Sequence, residues 1–487
     1  MRVTNRMMTS NTLNNIGRNK RNMFTAANQY ETGQKIQRPS EDPVVAVRSL
    51  KYRTQLTELT QYVDKNIPDA FSWMDVTESA MKNVNEILTK MNTYCDQGAN
   101  GTLETYDRNS IIETLQQYKE HIADMNNSDY AGRYVFTGYK TDVPMLFSRE
   151  EKQYTYTIDE TFAFADIEAT SYVKGGARYD AAKNADDYAK QAPTLEMAQK
   201  IKLTYQNTDT EKPKVFIGGV DVSNKIVPKS LSEPAGACYT AGADEIIYVK
   251  ETGELILGEN LYKEAQKTDS IQVSYEKTNF EKGDVRPEHY FKCTAKNNVT
   301  GTTVQYAPPE IQKIQYEVNF SQMLTVNTLG KDAIPTYISS KIDELIKNVN
   351  QVFDMDKELT EVNKLIETEK DATKLETLKQ LKEQLSTEQT LKKKVLQNAF
   401  ASGLTMTQKA EEQVNIALSN HGSRYLRLQL TEDRLSNQKT DFKEMLTNND
   451  YVDMETAIIN YKNAGTAYNA SLACAATIVK NTLLDFL

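Results

Sequence analysis

The side chains that most often carry chemistry are scattered along this sequence. Cys95, Cys238, Cys293 and Cys474 have no short spacing of the kind that holds zinc or forms a redox pair. His121, His289 and His421 are equally dispersed, so no metal cluster is expected. There is no phosphate-cradling Gly-rich loop, no HExxH and no CxxC. Acid pairs such as Asp186-Asp187 and Glu411-Glu412 fit solvated surface charges. Sequons such as those at Asn126, Asn298, Asn319 and Asn469 are of the frequency chance allows. No catalytic residue, cofactor site or metal site is therefore expected. The cysteines are expected to be reduced and mostly buried, and His421 to be a hydrogen-bonded core histidine.

The chain has 487 residues, which suggests roughly three domains. Its formal charge of -9 argues against a dedicated nucleic-acid binder. The first 40 residues run the other way, with Arg2, Arg6, Arg18, Lys20, Arg21, Lys35 and Arg38 against Glu31. Such a start fits a membrane-surface helix, a nucleic-acid arm, a transit peptide, or a solvated basic face that meets an acidic surface in an assembly. It lacks the apolar core of a cleavable secretory signal. No apolar run approaches the ~20 residues of a membrane span, so no membrane insertion is expected. Gly (20) and Pro (12) are scarce, which favours long helices.

Leu13, Ile16, Met23, Ala27 and Tyr30 recur at helical spacing on one face, with Lys20 interrupting the stripe. Gly33 suits the left-handed residue that ends such a helix. In Pro39-Ser40-Glu41-Asp42-Pro43, Asp42 can cap the next helix and Pro43 fits its first position. From Leu56 through Leu59, Val63, Ile67, Ala70, Met74, Thr77, Met81, Val84 and Leu88 to Met91, steps of three and four alternate. This coiled-coil-like seam predicts one helix over about 43–94, which Pro68 should kink or interrupt. A second helix carries Ile111, Leu115, Tyr118, Ile122 and Met125.

From about 134 the character changes to strands. Candidates are 154–158, 201–205, 215–222, 246–249, 255–257, 271–276 and 311–318, with a hairpin at Thr252-Gly253. Residues 162–192 are expected to be partly helical. Helical periodicity returns near Ile338 and continues through a charged stretch, read as a solvated helical hairpin turning near Lys370–Thr373. A separate long helix is expected over about 404–447, with Val414, Ala417, His421, Leu428, Leu435 and Phe442 inward. The last helix spans about 454–487. Between Thr456 and Leu487 only Lys462, Lys480 and Asp485 are charged, so something must cover it.

Neither end is expected to fold alone, because one helix buries too little apolar surface to offset the ordering of its own backbone. The simplest covers are each other and the same helices of neighbouring subunits. The expected assembly interface is Leu13, Ile16, Met23 and Tyr30 with Ile458, Tyr461, Tyr468, Leu472, Val479, Leu483 and Phe486. The fold class is α+β: a long antiparallel helical rod formed by N- and C-terminal segments, with an inserted β-rich domain. Terminal helices at 1–42 and 448–487 would be disordered in the monomer. The rod would comprise 43–144 and 319–447, and the outer β-rich part 145–318. Head-to-tail contacts between such subunits could generate a helical tube.

Three stretches resemble the bacterial flagellin superfamily. Arg2-Val3-Thr4 and the run from Gln29 to Pro43, with Gly33, Pro39, Ser40, Asp42 and Pro43, resemble its N-terminal signature. The run from Asn126 to Gly138, with Gly132, Phe136 and Gly138, resembles the exit from the second rod helix in the hook–filament junction members. Tyr468-Asn469-Ala470-Ser471-Leu472 and Leu483–Leu487 resemble the closing helix. The likeness covers about 1–140 and 404–487; Pro68 and the charged segment 355–400 depart from it. It implies a non-catalytic, flagellin-like axial protein, exported unfolded and with reduced thiols through the flagellar type III apparatus with an export chaperone. The junction branch implies an extracellular adaptor at the hook–filament junction. Its partners would be a second hook-associated protein on the hook side, flagellin on the filament side, and its own copies in a ring or helical layer. The rival readings are flagellin itself, the bulk filament subunit, and, from another class, an enzyme or a coiled-coil nucleic-acid-binding protein.

Overall fold

The structure, a computed structural model, describes residues 5–480 except 102, 104, 181–186, 189, 191, 232–235 and 308–311. It is α+β. The long helices are α1 (Asn5–Thr32), α2 (Pro43–Gln61), α3 (Ile67–Ala99), α4 (Thr105–Asn126), α5 (Tyr337–Thr368), α6 (Ala372–Asp450) and α7 (Met454–Lys480), and the β-rich region lies between α4 and α5. The chain divides into two compact units. One comprises Met1–Asp69, Tyr316–Leu324 and Leu426–Leu487; the other comprises Ala70–Gln315 and Thr325–Tyr425.

In the first unit, α2 lies beside the last turns of α6. Tyr52 and Phe442 meet with ring centroids 6.2 Å apart, and Lys439 Nζ bonds Asp64 Oδ1 at 2.8 Å. The single helix expected over 43–94 is instead α2 and α3, joined by a π turn over Tyr62–Asn66. Pro68 explains the change. In an unbroken α-helix its ring would strike the carbonyl four residues back, and it has no N–H to donate. The wider turn, in which Ile67 N–H bonds the Tyr62 carbonyl five residues back, accommodates the ring without ending the helix.

In the second unit, every seam residue from Ala70 to Met91 is buried. Ile111, Leu115 and Ile122 of α4, Ile342, Leu345 and Val349 of α5, and Phe400, Val414 and Ala417 of α6 are buried as well. The helix expected over 404–447 and the second arm of the charged hairpin are one continuous helix, α6. Gly403, the natural place to break it, is a packing site: a Cβ there would sit 3.4 Å from Cys95 Sγ and 3.5 Å from Leu345 Cδ1. The turn falls at 369–371, where the Glu369 carboxylate accepts from the Lys370 and Asp371 N–H groups at 2.9 and 3.0 Å. The hairpin is not solvated all round. Ala177 and Tyr188 pack against Met355, Leu359, Val362, Leu381 and Leu385, and Arg178 grips the buried Glu388 at 3.0 and 3.2 Å.

Two antiparallel-rich sheets share one core. In spatial order the first runs Thr303–Tyr306, Lys292–Asn297, Tyr154–Phe162, Ile271–Lys277, Lys214–Ile217 and Val220–Asp221. The second runs Glu168–Lys174, Thr194–Lys202, Glu254–Leu257, Ile246–Val249 and Ile226–Lys229, its last pair parallel. Ile158, Val273 and Tyr275 from one face meet Ile201, Tyr248 and Leu255 from the other. The Thr252-Gly253 hairpin is present, with Gly253 at φ +65°. Several strand expectations need correction. The run 215–222 is split by Gly218-Gly219, both at positive φ. Of the expected strand 201–205 only Ile201 and Lys202 are strand, the end of Thr194–Lys202, and 168–174 is strand rather than helix. The strand near 311–318 is Gln315–Asn319; Ile311 lies outside the described residues. Lys292–Asn297 escapes periodicity because its inward positions are Cys293, Ala295 and Asn297, too small or polar to register as apolar alternation.

Candidate assembly interface

The two ends of the chain meet in the first unit, where α1 and α7 pack along each other. Ala26 and Ala457 are buried, and such small side chains let two helix backbones approach closely. The Tyr30 and Tyr461 rings stack at 5.8 Å with planes 8° apart. Ile16, Met23, Ile458 and Tyr468 are half-buried. The rest of the pair is open: Leu13 is 62% exposed, Phe24 65% and Leu472 41%. The structure thus gives some expected interface residues contacts within the pair and turns Leu13 and Leu472 to solvent. Leu483, Phe486 and the side chain of Val479 lie outside the described residues.

The segment that carries the N-terminal signature forms the joint between this pair and α2. Gly33 ends α1 at φ +71°, and its carbonyl accepts the Val452 N–H at 2.8 Å. Lys35 N–H bonds the Asp450 carbonyl at 2.8 Å, and the Lys35 ammonium bonds the Asn448 carbonyl. Pro39 and Ser40 occupy the centre of a turn closed by Glu41 N–H to the Arg38 carbonyl at 3.0 Å. Asp42 Oδ1 accepts from the Val44 and Val45 N–H groups at 3.0 and 3.2 Å, capping α2 with Pro43 as its first residue. Asp450 receives Ser49 Oγ at 2.8 Å and Arg53 Nη2 at 2.7 Å. Burial alone would raise its carboxyl pKa; the hydrogen bonds from Arg53, Asn449 and Ser49 outweigh burial and lower it. Sequence periodicity missed Ser49, Arg53, Asn448 and Asp450, because their partners are some 400 positions away and nothing local marks them.

The second motif is a structural turn in the second unit. Asp129–Tyr130 pairs with Arg133–Tyr134 around Ala131 and Gly132, both at positive φ, and Asp129 Oδ2 accepts the Gly132 N–H at 3.0 Å. The Arg133 guanidinium lies 5.1 Å from the Trp73 ring centroid. Phe136 is buried, and its carbonyl accepts the Gly330 N–H at 2.9 Å. Gly138 has φ +65°, and a Cβ there would meet Gln312 Oε1 at 2.1 Å.

Most of the cysteines and histidines of the second unit are buried, whereas His121 is exposed. Cys95, Cys238 and Cys293 are buried and in no disulfide, and Cys474 of the first unit is exposed. Among the described residues no group of three or more His, Cys, Asp or Glu could hold a metal, and no helix is long and apolar enough to cross a membrane. His421 is fully buried between the Met74 carbonyl, 3.0 Å from Nε2, and Thr328 Oγ1, 3.4 Å from Nδ1. The Met74 carbonyl can only accept, so Nε2 carries the proton. Burial, with Arg424 adding to it, pushes the His421 pKa down to about 4; burial pushes His289 down to about 4 as well.

Acid should therefore weaken the second unit. Between the ordinary histidine pKa of 6.5 and about 4, the unfolded chain binds protons at both imidazoles that the folded unit refuses, so stability falls as pH falls. Glu160 opposes this. Burial raises its pKa to about 7 from 4.5, against hydrogen bonds from Tyr275 and Thr204, so the folded unit gains stability there on acidification. Glu254 and Glu344, whose burial is outweighed by lysines that hold the carboxyls low, add to the loss, and Asp284, raised by burial, subtracts from it. The net expectation is a loss on the order of a few kcal/mol between pH 7 and 4. Urea melts followed by Trp73 fluorescence across that range check it. A midpoint that holds or rises on acidification would refute the assignment.

The profile of the bacterial flagellin N-terminal helical region matches residues 3–141. Flagellar hook-associated protein 3 of Salmonella typhimurium is 28% identical over 145 residues, covering 29% of this chain and 45% of that protein. The protein of the same name from Escherichia coli K12 is 27% identical over 157 residues, covering 32% and 48%. A flagellin of Clostridium tyrobutyricum is 29% identical over 128 residues, covering 26% and 34%. The chain spans a little under half the length of the two hook-associated relatives it matches. Residues 3–141, the part that builds the joint and opens the helical seam, are thus similar to the N-terminal helical region of bacterial flagellins.

Proposed function

We propose that this chain is a structural, non-catalytic axial protein of the bacterial flagellum that joins hook to filament by helical packing of its terminal helices. The observation that carries this is the α1–α7 pair, which brings together the two ends of the chain and still exposes Leu13, Phe24 and Leu472. A helix pair with that much apolar side chain in water calls for a protein cover. In this reading, 1–42 and 448–487 polymerise and become fully ordered only against neighbours. Residues 43–144 and 319–447 form the helical domain, and 145–318 form an outer spacer. The protein leaves the cell through the flagellar type III apparatus, escorted by a chaperone. It then lies outside the cell between a second hook-associated protein and flagellin, in a ring or helical layer of its own copies.

The flagellin likeness supports a second reading, in which the chain is the bulk filament subunit. Deleting the gene separates the two. The adaptor reading expects intact hooks and abundant flagellin shed into the medium. The bulk-subunit reading expects neither filaments nor shed flagellin.

A further inference from the structure

We propose that the hairpin tip at Phe320 docks on the N-terminal half of α2 of a second copy of this chain; this contact rests on the axial-protein reading above. The hairpin pairs Gln315–Asn319 with Gln322–Thr325. Its stem is firmly held in the first unit. Val318 and Leu324 are buried, Tyr316 OH donates to Asp69 Oδ2 at 2.5 Å, Asn66 Nδ2 to the Glu317 carbonyl at 2.9 Å, and Tyr62 OH to Glu317 Oε1 at 3.2 Å. Its tip is the opposite: Phe320 is 77% exposed, Met323 is exposed, and Ser321 takes φ +56°, a conformation side-chain-bearing residues seldom adopt. A rigid stem that presents a phenylalanine to water has the form of a knob awaiting a socket.

The same unit carries an apolar strip of matching character. Val44, Val47 and Leu50 all point outward from the first turns of α2, Val47 at 67% and Leu50 at 69% exposure. The hairpin cannot cover the strip of its own copy. Leu50 lies 16 residues before the stem anchor Asn66, about 24 Å along the helix at 1.5 Å per residue. An arm of four or five residues extends only about 16 Å at 3.3 Å per residue.

Charge disfavours the symmetric alternative. Between Asp42 and Glu58 the helix carries Arg48, Lys51 and Arg53; Arg53 is paired with Asp450, and two strips packed face to face would still oppose Arg48 and Lys51 of one copy to those of the other. In contrast, 315–325 carry a single charge, Glu317, of the sign that suits this collar. Knob and socket occupy different places on one unit, so the contact is heterologous and can propagate around a ring or along a tube.

The test places a benzophenone photocrosslinker at position 320 of the full-length protein and irradiates flagella sheared from the producing cells. Mass spectrometry should find position 320 joined to residues 43–54 of a second copy. Val47→Asp with Leu50→Asp should lower that yield about tenfold, because it sets carboxylates in an apolar contact. All these side chains are solvent-exposed, so the unfolding midpoint should not move. Crosslinks that land elsewhere, or none at all in protein that has been incorporated, overturn the proposal and leave the axial reading standing. Absence of the protein from flagella overturns both.

Discussion

Replacing Leu13 and Leu472 together with Asp should leave both compact units folded and abolish incorporation into flagella. The two side chains are 62% and 41% exposed in the isolated chain, so carboxylates there stay hydrated. In an assembled layer the same positions would be covered, and an unpaired carboxylate taken out of water costs several kcal/mol. Two such costs per copy would reduce incorporation more than about 100-fold, since each 1.4 kcal/mol is a factor of ten. Immunoblots of sheared flagella read the loss, and unfolding melts check that the monomer is intact. Normal incorporation would mean that the exposed faces of α1 and α7 are not the surfaces that neighbours cover.

Lys200→Met should cost the second unit about 3–5 kcal/mol, the usual penalty for breaking a buried ion pair from one side. Lys200 is almost wholly buried, with its ammonium 3.1 Å from Glu254 Oε1 and 2.8 Å from Glu344 Oε1. Burial alone would strip its proton; Glu254, Glu344 and Glu168 outweigh burial and hold the amine charged. Methionine fills the space and leaves Glu254 facing inward without its ammonium, although Thr252 and Tyr239 still donate to it at 2.8 and 3.0 Å. Lys341 stays 3.0 Å from Glu344, so the damage centres on Glu254. Without Lys200 the carboxyl pKa must rise, so the deficit should shrink as pH falls and the acid takes up a proton. Trp73, the one tryptophan of the chain, is buried in this unit and reports its unfolding. A loss below about 1 kcal/mol would place the trio in better-solvated surroundings than its burial implies.

The helices were legible because their seams are long and their caps are local. Asp42-Pro43 identifies the start of α2, and the three–four alternation from Ala70 to Met91 identifies a buried face. Other features left a partial mark or none. Pro68 marks an interruption of the helix, but its form as a π turn is silent because the seam spacing from Val63 to Ile67 runs unbroken through it. The unity of α6 is hidden by Gly403, which looks like a break and is instead a close approach to Cys95 and Leu345. At the candidate interface, the residues of α1 and α7 could be named from periodicity. Which of them face the partner helix and which face solvent depends on a pairing between opposite ends of the chain. The Asp450 cluster with Ser49 and Arg53 depends on the same pairing.

Electron microscopy of flagella bearing a tagged version of this protein tests the central claim most directly. The adaptor account predicts label confined to a thin band at the distal end of the hook. Label along the whole filament, or no label on the flagellum, would contradict it.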